Sequence, residues 1–261
     1  MDLNLNEKTA IVVASSQGLG KAIATQLVKE GANVMLASRN EEKLKAVQAE
    51  LSVFNKGKVS YIQTDITKKE DIEALIKQTV DTFGTIDILV NNAGGPPAGT
   101  FEQLDDEAWQ GAFELNLLSY IRMIRGALPY MQKNGGKIIN IASSSIKMPL
   151  PGLILSNTFR LGIVGLSKTL ADELAPHNIL INTVAPGRIA TDRVAHLDQV
   201  NAEKLGKPIE EVEEMFKETI PLKRYGTPEE FANFVTFLVS NANTYMTGQA
   251  YLVDGGMVKA I

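Results

Sequence analysis

The sequence predicts an α/β fold, doubly wound around a mostly parallel sheet with helices on both faces. Three observations predict it. Short β-rich runs alternate with amphipathic helical stretches along the whole chain. Those runs are apolar almost throughout, as strands covered on both sides must be. The first run also leads straight into a glycine-bearing turn and a helix, the opening of a crossover unit that can meet a phosphate.

The elements follow in order. "TAIVVA" (9–14) reads as the first strand and "ASSQGLGKAIATQLVKEGA" (14–32) as the turn and helix behind it. "NVMLAS" (33–38) is the second strand, and Leu44, Val47 and Leu51 mark a one-sided helix after it. "KVSYIQT" (58–64) is followed by the stripe Ile72, Leu75, Ile76 and Val80, and "IDILVN" (86–91) is the fourth strand. The helical region "EAWQGAFELNLLSYIRMIRGALPYM" (107–131) is apolar on more than one face, which suits burial against the sheet and against another subunit. "KIINIA" (137–142), the helix "LILSNTFRLGIVGLSKTLADEL" (153–174) and "ILINTVA" (179–185) come next, and "AYLVDGG" (250–256) closes the series. Residues 188–226 break the rhythm of short connections and are expected to form a substrate lobe or lid. No linker divides the chain, so 1–261 is expected to be one domain.

Composition narrows the function. The 261 residues are 44% hydrophobic and carry a net charge of −4, with both signs interspersed. No basic footprint for nucleic acid or anionic membrane results, and small-molecule chemistry becomes the default. There is no cysteine, hence no disulfide, thiol nucleophile or thiolate metal site, and only two histidines, His177 and His196, argue against zinc. The N-terminus lacks the basic and apolar segments of a signal peptide, and no apolar run approaches the roughly 18 residues of a membrane span. A cytoplasmic protein is expected.

The turn at Ser16, Gln17, Gly18, Leu19 and Gly20 would let the backbone approach a pyrophosphate seated on the helix N-terminus. A turn that needs glycine for its own geometry is the plain alternative. The second strand ends at Ser38 and Arg39, where an acidic side chain would receive the ribose hydroxyls of NAD and a basic one the extra phosphate of NADP. Arg39 therefore points to NADP(H) rather than NAD(H), against the alternative of a solvated surface arginine.

With "NNAG" at 91–94, Asp65 after the third strand, Asn116, "IASS" at 141–144, "INTVAPG" at 181–187 and "VDGG" at 253–256, the chain resembles the short-chain dehydrogenase/reductase family. It resembles in particular the β-ketoacyl-carrier-protein-reductase-like branch, and the likeness extends over essentially the whole length. The resemblance implies a Rossmann-like sheet of about seven parallel strands and a homotetramer or homodimer. It also implies that Asp65 and Ile66 border the adenine and that Asn92, Ala93 and Gly94 run beside the cofactor. The segment from Pro186 through Gly187 and Ile189 to Thr191 would close over the nicotinamide and phosphates. Two departures are visible: the family's first glycine reads Ala14, and Gln17 stands where many NADP users carry a base.

The chemical end departs further. In the family a tyrosine protonates the developing alkoxide, its pKa brought down from about 10 by a lysine four residues on. Counting from Ser143, those two positions are Ser156 and Arg160, and the implied tetrad stands as Asn116, Ser143, Ser156 and Arg160. An aliphatic hydroxyl is a much weaker acid than a phenol, and a guanidinium with a pKa above about 12 relays no proton. Ser143 and Ser156 could instead serve as caps, and Arg160 as a structural partner. Lys147, by analogy facing the pocket, and His196 or Asp192 from the lobe are alternative donors. The expected function is an atypical NADP(H)-dependent oxidoreductase acting on a carbonyl or alcohol. The rival is a catalytically silent NADP(H)-binding protein.

Overall fold

The structure, a computed structural model, describes residues 2–260. Seven strands, β1 (Thr9–Val13), β2 (Asn33–Ser38), β3 (Val59–Gln63), β4 (Ile88–Asn91), β5 (Gly136–Ile141), β6 (Ile179–Pro186) and β7 (Ala250–Val253), form one sheet. Their order is β3-β2-β1-β4-β5-β6-β7 and every pair is parallel. The order reverses between β1 and β4, where the two halves of a doubly wound sheet part and leave a crevice at the strands' carboxyl ends.

Period-two alternation along the strands assigns the two cores. Ala10 and Val12 pack with α1 (Gly18–Lys29), α2 (Glu41–Ser52) and α9 (Pro228–Val239). Ile11 and Val13 pack on the opposite face with α3 (Lys69–Phe83), α5 (Ser119–Met131) and α6 (Ile154–Leu174). Fully burying a leucine or isoleucine such as Leu27 or Ile11 contributes about 2 kcal/mol. The central strands are apolar and buried, whereas β3 at the sheet edge is half-buried and its Gln63 exposed. Among the described residues no helix is long and apolar enough to cross a membrane.

One stretch differs from the sequence pattern. The helical region near 107–131 is not one regular helix: α4 (Asp106–Phe113) joins α5 through a π-helical turn at Glu114–Leu118 that holds Asn116. One residue is inserted there, so the apolar stripe rotates partway along. Residues 188–226 carry α7 (Asp192–Leu205) and α8 (Ile209–Glu218). The neck of this lobe is closed by hydrogen bonds from Ala190 N–H to Gly226 O (2.8 Å) and from Gly226 N–H to Arg188 O (3.0 Å).

The turn after β1 is strained. Ala14 has φ 51°, a left-handed conformation in which a methyl crowds the following carbonyl at a cost of about 1–2 kcal/mol. Ser15 holds it there: its N–H donates to Ala37 O at 3.2 Å and its Oγ accepts from Ala37 N–H at 3.0 Å. The Ala14 carbonyl is thereby turned toward Gly20, where an added Cβ would sit 2.2 Å from Ala14 O. Ala14→Gly should therefore raise stability by about 0.5 kcal/mol, relief of strain outweighing the added freedom of the unfolded chain. Gly20→Ala should lower it by about 3 kcal/mol. Urea unfolding midpoints of both variants check this, and a loss on Ala14→Gly would contradict it.

Candidate active site

A cleft of about 730 Å³ opens at the carboxyl ends of the strands, spanning the reversal between β1 and β4. Every site residue expected from the sequence borders it except Gly20 and Asn116. Gly20 lies under the turn as described. Asn116 is fully buried behind the wall that Leu115 presents, and neither atom of its side-chain amide has a hydrogen-bond partner.

At one end lie the 16–19 turn, Ser38, Arg39, Asp65 and Ile66. Burial pushes the Asp65 carboxyl up, but hydrogen bonds from the Thr67 hydroxyl (2.8 Å) and N–H (3.0 Å), with the nearby Arg39 guanidinium, hold it below the usual carboxylate range. Asn40 and Lys43, not singled out from the sequence, stand on the same rim. Lys43 follows Arg39 by four residues, the one local signal that it could share Arg39's surroundings.

The other end is built on α6. Ser156, Arg160, Ile163, Ser167, Ala171 and Leu174 form its buried stripe, so Ser156 and Arg160, one turn apart, share the face turned to the sheet. Ser156 is the third residue of the helix and not its N-cap, which is Leu153. Its hydroxyl has no hydrogen-bond partner among the described residues. Ser143 follows β5, and its Oγ accepts from Ser145 N–H at 3.2 Å, so it does cap a short turn. The hydroxyl proton of Ser143 remains available to the cleft.

Arg160 is 4% exposed. Its Nη1 donates to Ile141 O (2.8 Å) and to the Tyr120 hydroxyl (2.9 Å), and its Nη2 to Ala93 O (3.0 Å), with Gly94 O at 3.5 Å. Tyr120 donates in turn to Ile141 O at 2.8 Å. No carboxylate pairs with this guanidinium among the described residues; carbonyl dipoles surround it. Burial pushes the Tyr120 phenol up despite the neighbouring positive charge, and the phenol does not border the cleft.

The alternative proton donors separate. Lys147 is exposed and does not border the cleft, contrary to the analogy that placed it there, because the 3-10 turn Ser144–Ile146 carries it outward. His196 is likewise exposed and outside, whereas Asp192 borders the cleft. Arg193, missed in the sequence, reaches over the rim from α7 to Pro96 O at 3.4 Å. Among the described residues, no tyrosine, histidine or cysteine borders the cleft.

The lobe is anchored by a polar cluster. Arg188 pairs with fully buried Asp198, its Cζ lies 3.3 Å from the centroid of the Phe216 ring, and the Tyr225 hydroxyl donates to Asp198 at 2.9 Å. Burial is the first cause that drives the Tyr225 phenol pKa upward.

Comparison with known proteins agrees with this architecture. The family described as Enoyl-(Acyl carrier protein) reductase matches residues 13–258. The 3-oxoacyl-[acyl-carrier-protein] reductase FabG of Aquifex aeolicus is 35% identical over 258 residues, covering 98% of this chain and 100% of the relative. The crystal structure of L-sorbose reductase from Gluconobacter frateurii, complexed with NADPH and L-sorbose, superposes with a TM-score of 0.95 at 35% identity, covering 100% of both chains. That of YwfH, an NADPH-dependent reductase involved in bacilysin biosynthesis, gives 0.93 at 31% identity over 97% of this chain and 99% of the other.

The Arg160 geometry predicts a graded series. Arg160→Met, which leaves the carbonyls and the phenol without their donor, should cost about 3 kcal/mol. Tyr120→Phe, which removes one donor and one acceptor while Ile141 O keeps Arg160, should cost about 1 kcal/mol. Arg160→Lys should fall between them, because one ammonium cannot span all the acceptors. Urea denaturation measures the order, and a Tyr120→Phe loss equal to that of Arg160→Met would refute it.

Proposed function

Because the chain belongs to the short-chain dehydrogenase/reductase family, we propose that it is an NADP(H)-dependent oxidoreductase of the 3-oxoacyl-carrier-protein-reductase type. It acts on the carbonyl group of a small molecule, or on the corresponding alcohol, with a proton-donor arrangement that departs from the family's tyrosine and lysine. The observation that carries the reading is a single cleft continuous from Arg39 to Ser143 and Ser156. A dinucleotide fits what borders it: a turn whose backbone can approach a pyrophosphate, a cation beyond Ser38 in place of a carboxylate, and a hydroxyl with no protein partner at the far end.

In this proposal Ser16, Gln17, Gly18 and Leu19 hold the pyrophosphate with the α1 N-terminus. Ser38 and Arg39 take the adenosine phosphate and Asp65 and Ile66 the adenine. Asn92 to Gly94 and the segment Pro186, Gly187, Ile189 and Thr191 enclose the nicotinamide half. A bound reduced cofactor would supply hydride to the substrate carbon, and the alkoxide so formed would take its proton from solvent water in the open cleft. Ser143 donates a hydrogen bond to the substrate oxygen, and Ser156 offers a second. Arg160 positions the carbonyl oxygens of Ala93 and Gly94 that face the site from behind, and Asn116 belongs to the turn that sets Leu115 on its wall. The lobe from 188 to 226 closes over this end. The aromatic cluster of Phe101 before α4, Trp109 and Phe113 on α4 and Phe159 on α6, with Phe101 70% exposed, and Leu161, 55% exposed elsewhere on α6, support a homodimeric or homotetrameric contact.

A second reading, a silent NADP(H)-binding protein, is favoured by the absence of any phenol, imidazole or thiol from the cleft and by the engagement of the Arg160 donors with backbone. NADPH oxidation against a broad panel of carbonyl compounds separates the two. Turnover on any member supports the enzyme, and tight NADPH binding with no turnover supports the silent protein.

Two outcomes are expected from variants. NADPH should bind more tightly than NADH, and Arg39→Ala should remove about tenfold of that preference, the worth of one charge-assisted contact. Isothermal titration of both cofactors measures it, and equal affinities in the wild type would end the NADP(H) assignment. Ser156→Tyr combined with Arg160→Lys should raise ketone turnover while either change alone does little. A phenol needs the ammonium to lower its pKa, and the ammonium needs a phenol to act on, so the effects should be coupled and not additive. A folded, cofactor-binding double variant with no gain on any carbonyl would show that the pocket has lost more than its proton donor.

A further inference from the structure

Two cations stand on the adenosine rim of the cleft, Arg39 and Lys43, and neither has a carboxylate in salt-bridge contact among the described residues. Glu41 pairs with Lys45 at 2.9 Å and Glu50 with Lys21 at 2.7 Å, Asp65 accepts from the N–H and hydroxyl of Thr67 while lying near Arg39, and Glu42 beside Lys43 makes no salt bridge to it. Lys43 instead donates to the side-chain oxygen of Gln17 at 2.6 Å, which joins the first turn of α2 to the phosphate-binding turn. An amide orients an ammonium without neutralising it, and two of the three N–H donors remain free. The position is otherwise unfavourable. In the first turn of a helix the macrodipole repels a cation, and a residue that breaks a local rule without a neutralising partner is a candidate functional residue.

We propose that Lys43 is a second ligand of the cofactor's 2′-phosphate, carried from α2 across the rim by Gln17, and that it brackets that phosphate with Arg39. This rests on the NADP(H) reading above and adds a residue and an arrangement to it. The site takes a dianionic phosphate monoester on a ribose 2′-oxygen. Gln17 positions Lys43 and offers its own amide N–H groups to the same oxygens. Because the two side chains meet tip to tip, a cation rooted at either position reaches the same point in space.

The test measures binding without turnover, using 2′,5′-ADP and 5′-AMP as probes of the adenosine half alone, together with NADPH and NADH. Lys43→Met, a change at an exposed position, should weaken 2′,5′-ADP and NADPH about tenfold and leave 5′-AMP and NADH unchanged within error. The exchange Gln17→Lys with Lys43→Gln should restore most of the lost affinity for the two 2′-phosphorylated ligands, which a merely structural link would not do. The proposal is overturned if Lys43→Met weakens all four ligands alike, or none, or if the exchange variant, folded by urea titration, binds 2′,5′-ADP no better than Lys43→Met. Wild type that prefers NADPH through Arg39 but is indifferent to Lys43→Met would refute Lys43 alone. Wild type with no preference for 2′-phosphorylated ligands would refute the NADP(H) reading itself.

Discussion

The buried guanidinium of Arg160 is the constraint on which the chemical end of the molecule depends. Taking such a charge out of water costs several kcal/mol unless its donors are satisfied. Here carbonyl oxygens satisfy them, and they converge because β4 and β5 run parallel and end side by side, so that Ile141 O, Ala93 O and Gly94 O all approach from the carboxyl edge of the sheet. With its donors fixed, Arg160 sets the rotation of α6. Ser156, one turn earlier, then has to face the cleft. A second polar chain continues the alignment along the same helix: Asn91 donates to Asn140 (2.8 Å), Asn140 to Ser167 (2.9 Å), and Thr183 to Ser167 (3.0 Å). One face of α6 is thus registered against β4, β5 and β6 by hydrogen bonds that tolerate little sliding.

Much of the fold was legible because a parallel sheet covered on both sides writes its strands as apolar runs. The seven runs read from the sequence are the seven strands, with ends displaced by up to three residues where chain leaves the sheet. The π-turn at Glu114–Leu118 was not legible, since an inserted residue leaves the surrounding residues as helical as before. A mid-helix asparagine, Asn116, was its only trace. In the cleft, what is local in sequence was readable and what is brought together by folding was not. The glycine turn and Arg39 announce themselves within a few residues, whereas Gln17 meets Lys43 across 26 positions and Arg193 meets Pro96 across 97. Lys147 shows the converse error. Nearness in sequence to Ser143 suggested nearness in space, and a single 3-10 turn separates the two.

The long connection after β6 is a closed excursion. Its entry at Arg188 to Ala190 and its exit at Gly226 are hydrogen-bonded to each other, so the 39 residues begin and end at one place. Behind that neck, Arg188, Asp198, Tyr225 and Phe216 join the entry, α7, the exit and α8 through one buried carboxylate. Any displacement that pulled α7 from the neck would strand the Asp198 charge. The lobe is therefore tied to its base through one cluster, and Arg193 on the first turn of α7, close to the neck, reaches Pro96 O across the cleft rim.

The two ends of the cleft treat positive charge in opposite ways. At the Arg39 end, among the described residues, neither Arg39 nor Lys43 is in salt-bridge contact with a carboxylate, which favours an anion arriving from outside. At the chemical end the charge of Arg160 is consumed within the protein, by four acceptors that are part of the backbone or of a buried phenol. The ends draw on different elements: the carbonyls around Arg160 lie at the end of β5 and just beyond β4, while the rim belongs to the β1 turn, the end of β2 and α2. In the proposed reading, contacts at the Arg39 rim do not depend on what stands at 156 and 160, whereas the Ala93–Gly94 segment at the other end does, because Arg160 donates to its carbonyls. Exchange at those two positions is instead limited by the sheet. A side chain at 160 has to satisfy the converging carbonyls before it can serve any chemistry, and arginine, with five donors in a planar fork, meets that demand more fully than an ammonium.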